Sequence, residues 1–504
     1  MRKINGIVDI SICSLGFSGM PQDTRRNYSA LRKIKSINVD ALIIPDESVP
    51  KIKSRLLRTN RFKQKLLSAR QLLKLERKSV VASVVDAATN KLNQKNRLFW
   101  SVIKGGWFFS LFKYRFKMEV DFSGSEYDDY FWRKYFSKTL PVADKKLVVD
   151  ESIFRVSRLT KPILIFKSLL GLGVKLDTSD YDFIIFPEPT IIMPSRGTIK
   201  LVRFHDAIPL THPHFINDPV SVVNSYRAIK HCVDNDAVFI CNSCESRSVL
   251  NDLFPGKKIK TIVIPCSIGA TNAIRNAVFD LSSIIRKYIS YESVMNEGLK
   301  NKDRMKVLNS CSKVSEDGYI VTVANIDPKK NQQMLISAWD RYRSQYGSDL
   351  KLIMVSSIGW SEGPVLEKMK NHFMSGNLVH LNKVSHFDLT ALMSNAKAFV
   401  FPSIVEGFGL GNLEAARCGC PVVTSDIGAH RYVMGENAFY FNPYSVSDLV
   451  DRLSFVLDKK NVDKVNSVSK NALSKTEMFL EKNVANMWEK LLDELVSAKD
   501  RDLL

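Results

Sequence analysis

Eight cysteines in 504 residues are too few for a disulfide scaffold. Cys241 and Cys244 form one C-x-x-C pair, and Cys418 and Cys420 lie two apart. Neither pair has a matched second pair or flanking histidines, so buried structural thiols in a reducing compartment are expected rather than a metal site. No run approaches the roughly 18 to 20 uninterrupted apolar residues of a membrane-spanning helix. The apolar stretch near the start is broken by Asp9 and followed by no small-residue cleavage site, so a secretory signal is not expected. Acidic residues are also short, 52 against 73 basic, a net charge of +21. At 45% hydrophobic and 25% charged, the chain is neither disordered nor fibrous.

The positive excess asks for an anionic partner and is unevenly spread. Between Lys51 and Val80 there are eleven basic residues and one acidic residue, Glu76, a net +10. An aromatic stretch follows, with Trp100, Trp107, Phe108, Phe109, Phe112 and Tyr114. Basic side chains beside aromatics suit an anionic membrane surface through residues 51–117, with the rings entering the interface. Nucleic acid is the competing partner, but no nucleic-acid-binding signature accompanies the stretch. A solvated basic helix beside an ordinary aromatic core hairpin is the plain alternative.

Elsewhere short β-branched runs alternate with helix-length amphipathic segments. Strands are expected near 7–12, 41–44, 183–186, 199–204, 237–241 and 261–264. A second set is expected near 319–323, 351–355, 378–381, 398–401, 421–424 and 438–441. Short apolar strands separated by helices predict parallel sheets covered on both faces. The length predicts two successive α/β units rather than one sheet. Their boundary is placed in the polar stretch 270–317, which holds one helix near 281–291. The first unit takes residues 1–290 with an insertion at about 51–145, and the second takes 310–475. Helical segments are expected at 446–457 and 476–499, and 476–504 is read as a C-terminal helix.

The chemistry concentrates in Phe401-Pro-Ser-Ile-Val-Glu-Gly-Phe-Gly-Leu-Gly-Asn-Leu-Glu414. A strand end, a loop carrying Gly407, Gly409 and Gly411, and a helix start bring backbone amides and a positive dipole end to one place. That is a cradle for a diphosphate at the C-terminal edge of a sheet. Glu406 stands before it, and Glu414 lies eight residues on, inside the helix.

This segment resembles the E-x7-E motif of retaining nucleotide-sugar glycosyltransferases of the GT-B class. It resembles in particular the large family that includes sucrose synthases and many bacterial mannosyl- and glucosyltransferases, and the Asp-Pro-Lys-Lys-Asn stretch at 327–331 looks closest to the bacterial mannosyltransferase-like branch. Phe-Pro-Ser before the E-x7-E motif and Cys-Gly-Cys-Pro-Val-Val after it resemble the family's flanks, although Gly411 stands where that family usually has proline. Asp327-Pro-Lys-Lys-Asn331 resembles the first strand-loop-helix of the donor domain, with Lys330 matching the phosphate-contacting lysine and Lys329 offering a second charge. Phe204-His205-Asp206 resembles the family's strand ending in a His-Asp pair, with Asp206 orienting His205 or positioning the acceptor. The loop Gly16-Phe-Ser-Gly19 resembles the glycine loop at the cleft, with Arg25 assisting. Ser243 reads as a helix N-cap. Tyr432 replaces a family glutamate, so no role is carried to it.

The resemblance implies a GT-B fold, two Rossmann-like domains facing across a cleft, with a basic and aromatic insertion in the N-terminal one. It assigns catalytic roles to His205, Glu406 and Lys330. It assigns donor contacts to Gly19, Lys329, Gly407, Phe408, Gly409, Leu410 and Glu414. It implies no metal and no cofactor, a nucleotide-sugar donor (GDP-mannose favoured) and a glycan or lipid-linked acceptor of the O-antigen or capsule kind. With the basic insertion, it implies a cytoplasmic protein, peripheral on the inner face of the cell membrane. A soluble sucrose- or glycogen-type transferase, and a catalytically idle binding module on the same fold, are the alternatives.

Overall fold

The structure is a computed structural model, and it describes residues 3–16, 19–45, 115–122, 127–269, 280–289, 314, 318–357 and 363–502. The basic and aromatic stretch 51–114 lies outside the described residues, as does most of the expected boundary.

The strands in chain order are β1 (Ile4–Asp9), β2 (Ile37–Ile43), β3 (Arg115–Phe116), β4 (Met118–Phe122), β5 (Phe154–Ser157), β6 (Val174–Leu176), β7 (Phe183–Phe186), β8 (Ile192–Met193), β9 (Ile199–Phe204), β10 (Val238–Cys241) and β11 (Thr261–Val263). The second unit adds β12 (Tyr319–Val323), β13 (Lys351–Val355), β14 (Leu378–Leu381), β15 (Ala398–Phe401), β16 (Val422–Ser425) and β17 (Phe439–Phe441). The longer helices are α1 (Met20–Lys33), α2 (Lys161–Leu169), α3 (Pro219–Asp234), α4 (Cys244–Leu253), α5 (Leu281–Tyr288), α6 (Gln332–Tyr346) and α7 (Gly363–Met374). They continue with α8 (His386–Asn395), α9 (Leu410–Arg417), α10 (Gly428–Met434), α11 (Val446–Leu457), α12 (Val462–Lys475) and α13 (Glu481–Asp502).

The first sheet runs β11-β10-β9-β7-β1-β2-β5-β4, parallel except for β4, which pairs antiparallel with β5. The second runs β14-β13-β12-β15-β16-β17 and is parallel throughout. Numbered within its own unit, that order is 3-2-1-4-5-6, which reverses between β12 and β15. In the first sheet the order reverses between β1 and β7. Loops leaving the carboxyl ends of strands at such reversals open into a crevice, and Gly19, Lys330 and Glu406 follow β1, β12 and β15, the strands at these reversals.

Three local differences from the expected pattern have physical causes. β1 ends at Asp9 because its carboxylate takes the Ser11 amide (2.9 Å) and hydroxyl (2.5 Å), turning the chain into a short 3-10 segment. Residues 127–145, grouped with the insertion by composition, supply Phe131, Tyr135 and Phe136 to the core under the first sheet. The helix expected at 476–499 is broken into a 3-10 turn (Thr476–Phe479) and α13, because Leu480 adopts an extended conformation and bridges to Ile268.

That bridge has a structural consequence. The chain crosses from the first unit to the second near Ile268 and returns near Leu480, and the Ile268 amide donates to Phe479 O (2.9 Å). After returning, α13 buries Val484, Trp488 and Leu492 in the first unit's core. The Trp488 indole donates to Asn27 Oδ1 of α1 (3.1 Å). The two crossings are thus tied to each other, and the second unit is anchored to the first at both ends.

Candidate active site between the two sheets

In the second unit, the loop after β12 holds Lys330 and the loop after β15 holds Glu406. The order reversal places these two loops side by side. Lys330 Nζ and Glu406 Oε1 form an ion pair, with Ser403 Oγ donating to the same carboxylate oxygen at 2.7 Å. Burial alone would raise the Glu406 carboxyl, but Lys330, His430 and the Ser403 hydroxyl outweigh it and hold Glu406 below its ordinary value. Asn331, in the left-handed conformation (φ 56°), turns the chain into α6 directly behind Lys330. Lys329 points elsewhere: its ammonium pairs with Asp327 (2.9 Å) while its carbonyl accepts the Ile404 amide (2.8 Å).

The cradle forms as its residue types predict. Gly409 caps α9 at φ 96°, a conformation costly for residues with a Cβ. Its neighbour is His430, whose Cδ2 lies 2.9 Å from where a Cβ would sit. Leu410 opens the helix. Phe408 is 5% exposed and packs between Tyr432 and Phe479, so only its backbone faces a ligand. His430 is fully buried, with Nδ1 against Thr424 Oγ1 (2.8 Å) and Ser425 O (2.9 Å) and Nε2 without a hydrogen-bond partner. Burial pushes its imidazole down to about 4 despite Glu406 nearby, so the ring is neutral at neutral pH.

The first unit contributes across the cleft. His205 follows β9, and its carbonyl oxygen lies 2.3 Å from where a Cβ on Gly407 would be. Glycine at 407 is therefore what lets the two units approach this closely. Ser243 Oγ, at the N-cap of α4, donates to Gly407 O (3.2 Å) and also caps its own helix, as expected. Gln22 Nε2 of α1 donates to Glu414 Oε1 of α9 at 2.6 Å. Beside Glu414 is a pocket lined by Ile268, Gly269, His386, Thr390 and Cys418.

Two expectations need correction. Arg25 does not face a ligand. It is fully buried, and its guanidinium donates to Tyr135 O, Thr139 Oγ1 and the carbonyls of Cys13, Leu15 and Gly16. It clamps the loop that leads to Gly19, which caps α1 at φ 68°. Asp206 does not orient His205 either, because its carboxylate caps the Ile208 amide (3.0 Å). The carboxylate beside the His205 ring is Asp23, 3.8 Å from Nε2.

Asp23 is itself held by Arg203, at 2.7 Å from Nε and 3.2 Å from Nη2, and both side chains are 2% exposed. Burial raises the Asp23 carboxyl, but Arg203 and His205 more than reverse this, so it stays ionised. Burial dominates at His205 and pushes its imidazole down to about 4, against the pull of Asp23. Asp23, His205 and Cys266 offer three ligand atoms within 4.8 Å of one another. The Arg203 guanidinium, however, already occupies Asp23 and approaches Cys266 Sγ at 3.6 Å, so a cation there would meet a resident positive charge.

Sequence reasoning missed Gln22, Asp23, Arg203 and His430. For the first three no local signal exists, since their partners lie 180 or more residues away. For His430 the signal was its position just after β16, close behind the glycine loop.

The site therefore gathers an ionised carboxylate, a paired lysine, two neutral imidazoles and a glycine-lined helix start across a closed cleft. Such a set can bind a diphosphate and the hydroxyls on either side of it, with largely buried side chains that strengthen each electrostatic contact. Residues 305–475 match the family described as glycosyl transferases group 1. The chain is 25% identical over 270 residues to O-antigen chain mannosyltransferase B of Escherichia coli, covering 53% of this chain and 63% of that protein. It is also 25% identical over 292 residues to the serotype-specific mannosyltransferase WbdA of Escherichia coli, covering 56% of this chain and 32% of that one. The chain thus spans less than two thirds of the length of these relatives. Among solved structures, sucrose-phosphate synthase from Thermosynechococcus elongatus superposes with a TM-score of 0.55 at 14% identity, over 99% of this chain and 100% of that one. The fold is GT-B, with residues 305–475 matching the family of glycosyl transferases group 1.

Proposed function

We propose that this chain is a retaining glycosyltransferase that moves a sugar, mannose in the favoured reading, from a nucleotide-diphosphate donor to a hydroxyl of a lipid-linked bacterial surface glycan. The observation that carries the reading is the meeting of Lys330, Glu406 and the 407–414 helix start with His205 across the cleft. The mannosyltransferase names of the relatives support mannose, and the O-antigen in the first name supports a surface-glycan acceptor; GDP-mannose is the donor that goes with this reading.

The chemistry follows from charge. The donor's C1–O bond to the diphosphate breaks while a C1–O bond to the acceptor forms on the same face. The acceptor's proton passes to the departing phosphate, so no side chain need become a covalent nucleophile. Negative charge develops on that phosphate. Lys330 and the free amides at the start of α9 stabilise it, with Lys329 adding a more distant positive charge. Phosphate entry gives Lys330 a new anionic partner and frees Glu406 to accept hydrogen bonds from sugar hydroxyls. Glu414 exchanges Gln22 for the ribose hydroxyls, and His205 contacts the sugar from the opposite wall. No metal is required for this neutralisation.

The basic residues of 51–117 would hold the enzyme at an anionic membrane surface on the cytoplasmic side. Among the described residues no helix is long and apolar enough to cross a membrane. The test is a thermal-shift comparison of GDP, UDP and ADP, followed by turnover of the matching nucleotide sugar. GDP should stabilise the protein most, and Glu414→Ala should weaken that shift and lower transfer while the fold is retained. No stabilisation by any nucleotide and no turnover of any nucleotide sugar would overturn the reading.

A further inference from the structure

The first-unit side of the cleft holds two carboxylates that the mechanism above does not use. β1, β7 and β9 lie side by side, with Val8 opposite Ile185 and Phe186 opposite Val202, so their carboxyl ends open on one crevice. Asp9 is the last residue of β1, Glu188 comes two residues after β7, and His205 follows β9. Glu188 stands between Pro187 and Pro189. A proline restricts its own φ and keeps the residue before it extended, so this glutamate is displayed on a stiff segment. The same segment reaches the catalytic histidine, because the Pro187 carbonyl accepts a hydrogen bond from the His205 ring.

Asp9 is 8% exposed. One of its oxygens accepts both Ser11 hydrogen bonds, and the other has no hydrogen-bond partner among the described residues. A buried carboxylate oxygen without a donor is costly, and a ligand hydroxyl supplies one. Glu188 is open to solvent, yet it stands deep enough in the crevice that lost hydration raises its carboxyl, and the Asp9 charge raises it further. Lys161, at the start of α2, opposes both shifts with one positive charge against two carboxylates. A sugar offers hydroxyl donors to such a lining. A phosphate or carboxylate on the acceptor would instead meet like charge where water is scarce.

We propose that Asp9 and Glu188 select the acceptor by charge: they receive hydroxyls of a neutral sugar at the glycan end and reject an end that carries a phosphate or a uronate. This rests on the transferase reading above and adds to it the chemical class of the acceptor.

The experiment measures transfer by the full chain to neutral mannooligosaccharides and to the same oligosaccharides oxidised to uronates at C6. The wild type should prefer the neutral pool by about a hundredfold or more in kcat/KM, since like charges are otherwise brought together. Glu188→Gln should raise the neutral-acceptor KM about tenfold, as for a lost hydrogen bond to a charged group, while the donor nucleotide still raises the melting temperature. Asp9→Asn keeps an oxygen for Ser11 and should act in the same direction. Glu188→Lys should cut the preference for neutral ends to about a tenth or less, by replacing repulsion with attraction. If both Glu188 variants keep the wild-type preference, the pair does not read charge and the proposal is overturned. Equal use of both pools by the wild type also overturns it, as does use of neither by a protein that still releases nucleotide diphosphate from its donor. No release from any nucleotide sugar overturns the transferase reading itself, and this inference with it.

Discussion

The two walls of the cleft sit on the same kind of sheet, at the same kind of order reversal, yet they are held together differently. The second-unit wall is local: Asp327 to Lys330 and Ser403 to Glu414 are short loops whose glycines, lysines and carboxylates stand near one another in the chain. The first-unit wall is assembled from afar. Asp23 on α1, Arg203 near the end of β9 and Cys266 just after β11 meet only because β1, β7, β9, β10 and β11 are laid side by side. A site built from short loops can be read as a motif, whereas one built from a buried ion pair can be read only from the fold.

The comparison can be broken most forcefully at the buried pair. Arg203→Met leaves Asp23 ionised and unpaired in the interior, which costs about 3–5 kcal/mol. A large drop in melting temperature is expected, and Asp23→Asn/Arg203→Met should recover much of it. An unchanged melting temperature for Arg203→Met would show that the first wall does not depend on the pair. On the second wall, Lys330→Ala should retain the fold and lower turnover about 10²–10³-fold, the usual effect of removing one preorganised charge. Release of nucleotide diphosphate from the donor measures this.

Gly407→Ala tests the line where the walls meet. A methyl group there would lie 2.3 Å from His205 O, so the units must part. The expected result is a rise in donor KM of tenfold or more and a larger radius of gyration in solution scattering, with little change in the melting of either unit. An unaltered radius would mean that the close approach is not needed.

The two buried imidazoles predict a milder effect of pH. His205 and His430 are both pushed down to about 4 from an ordinary 6.5. Between those values the unfolded chain binds protons that the folded one does not, so stability is lost as pH falls from about 6.5 towards 4. His430→Gln should flatten that slope in pH-dependent denaturant melts, and an unchanged slope would place the titration elsewhere. The smallest effect is expected from Gln22→Ala, which removes one hydrogen bond worth about 0.5–1.5 kcal/mol between the units. It should change donor KM only a few-fold.

Much of this was legible beforehand. The strands at 183–186, 199–204, 319–323, 351–355, 378–381 and 398–401 stand where the β-branched runs place them, because a strand buried on both faces must be apolar along its whole length. The Ser243 cap was legible because capping is a relation between residues three apart. β4, β5 and β6 were not, because their residues alternate with charges and take their strand character from neighbours far along the chain. Arg25 shows the same limit from the other side. A basic residue after a glycine loop looks like a ligand contact, and only the packed loop reveals that its donors are taken by carbonyls.

By itself, then, the sequence determined the two-unit α/β plan, the glycine cradle with Glu406 and Glu414, and the concentration of positive charge in 51–80. These are properties of composition, period and short spacing. Only the tertiary structure decided that Asp23 rather than Asp206 stands by His205 and that Gln22 reaches Glu414. Those are contacts between residues more than a hundred positions apart, chosen by strand order and close packing, and no local pattern in the chain encodes them.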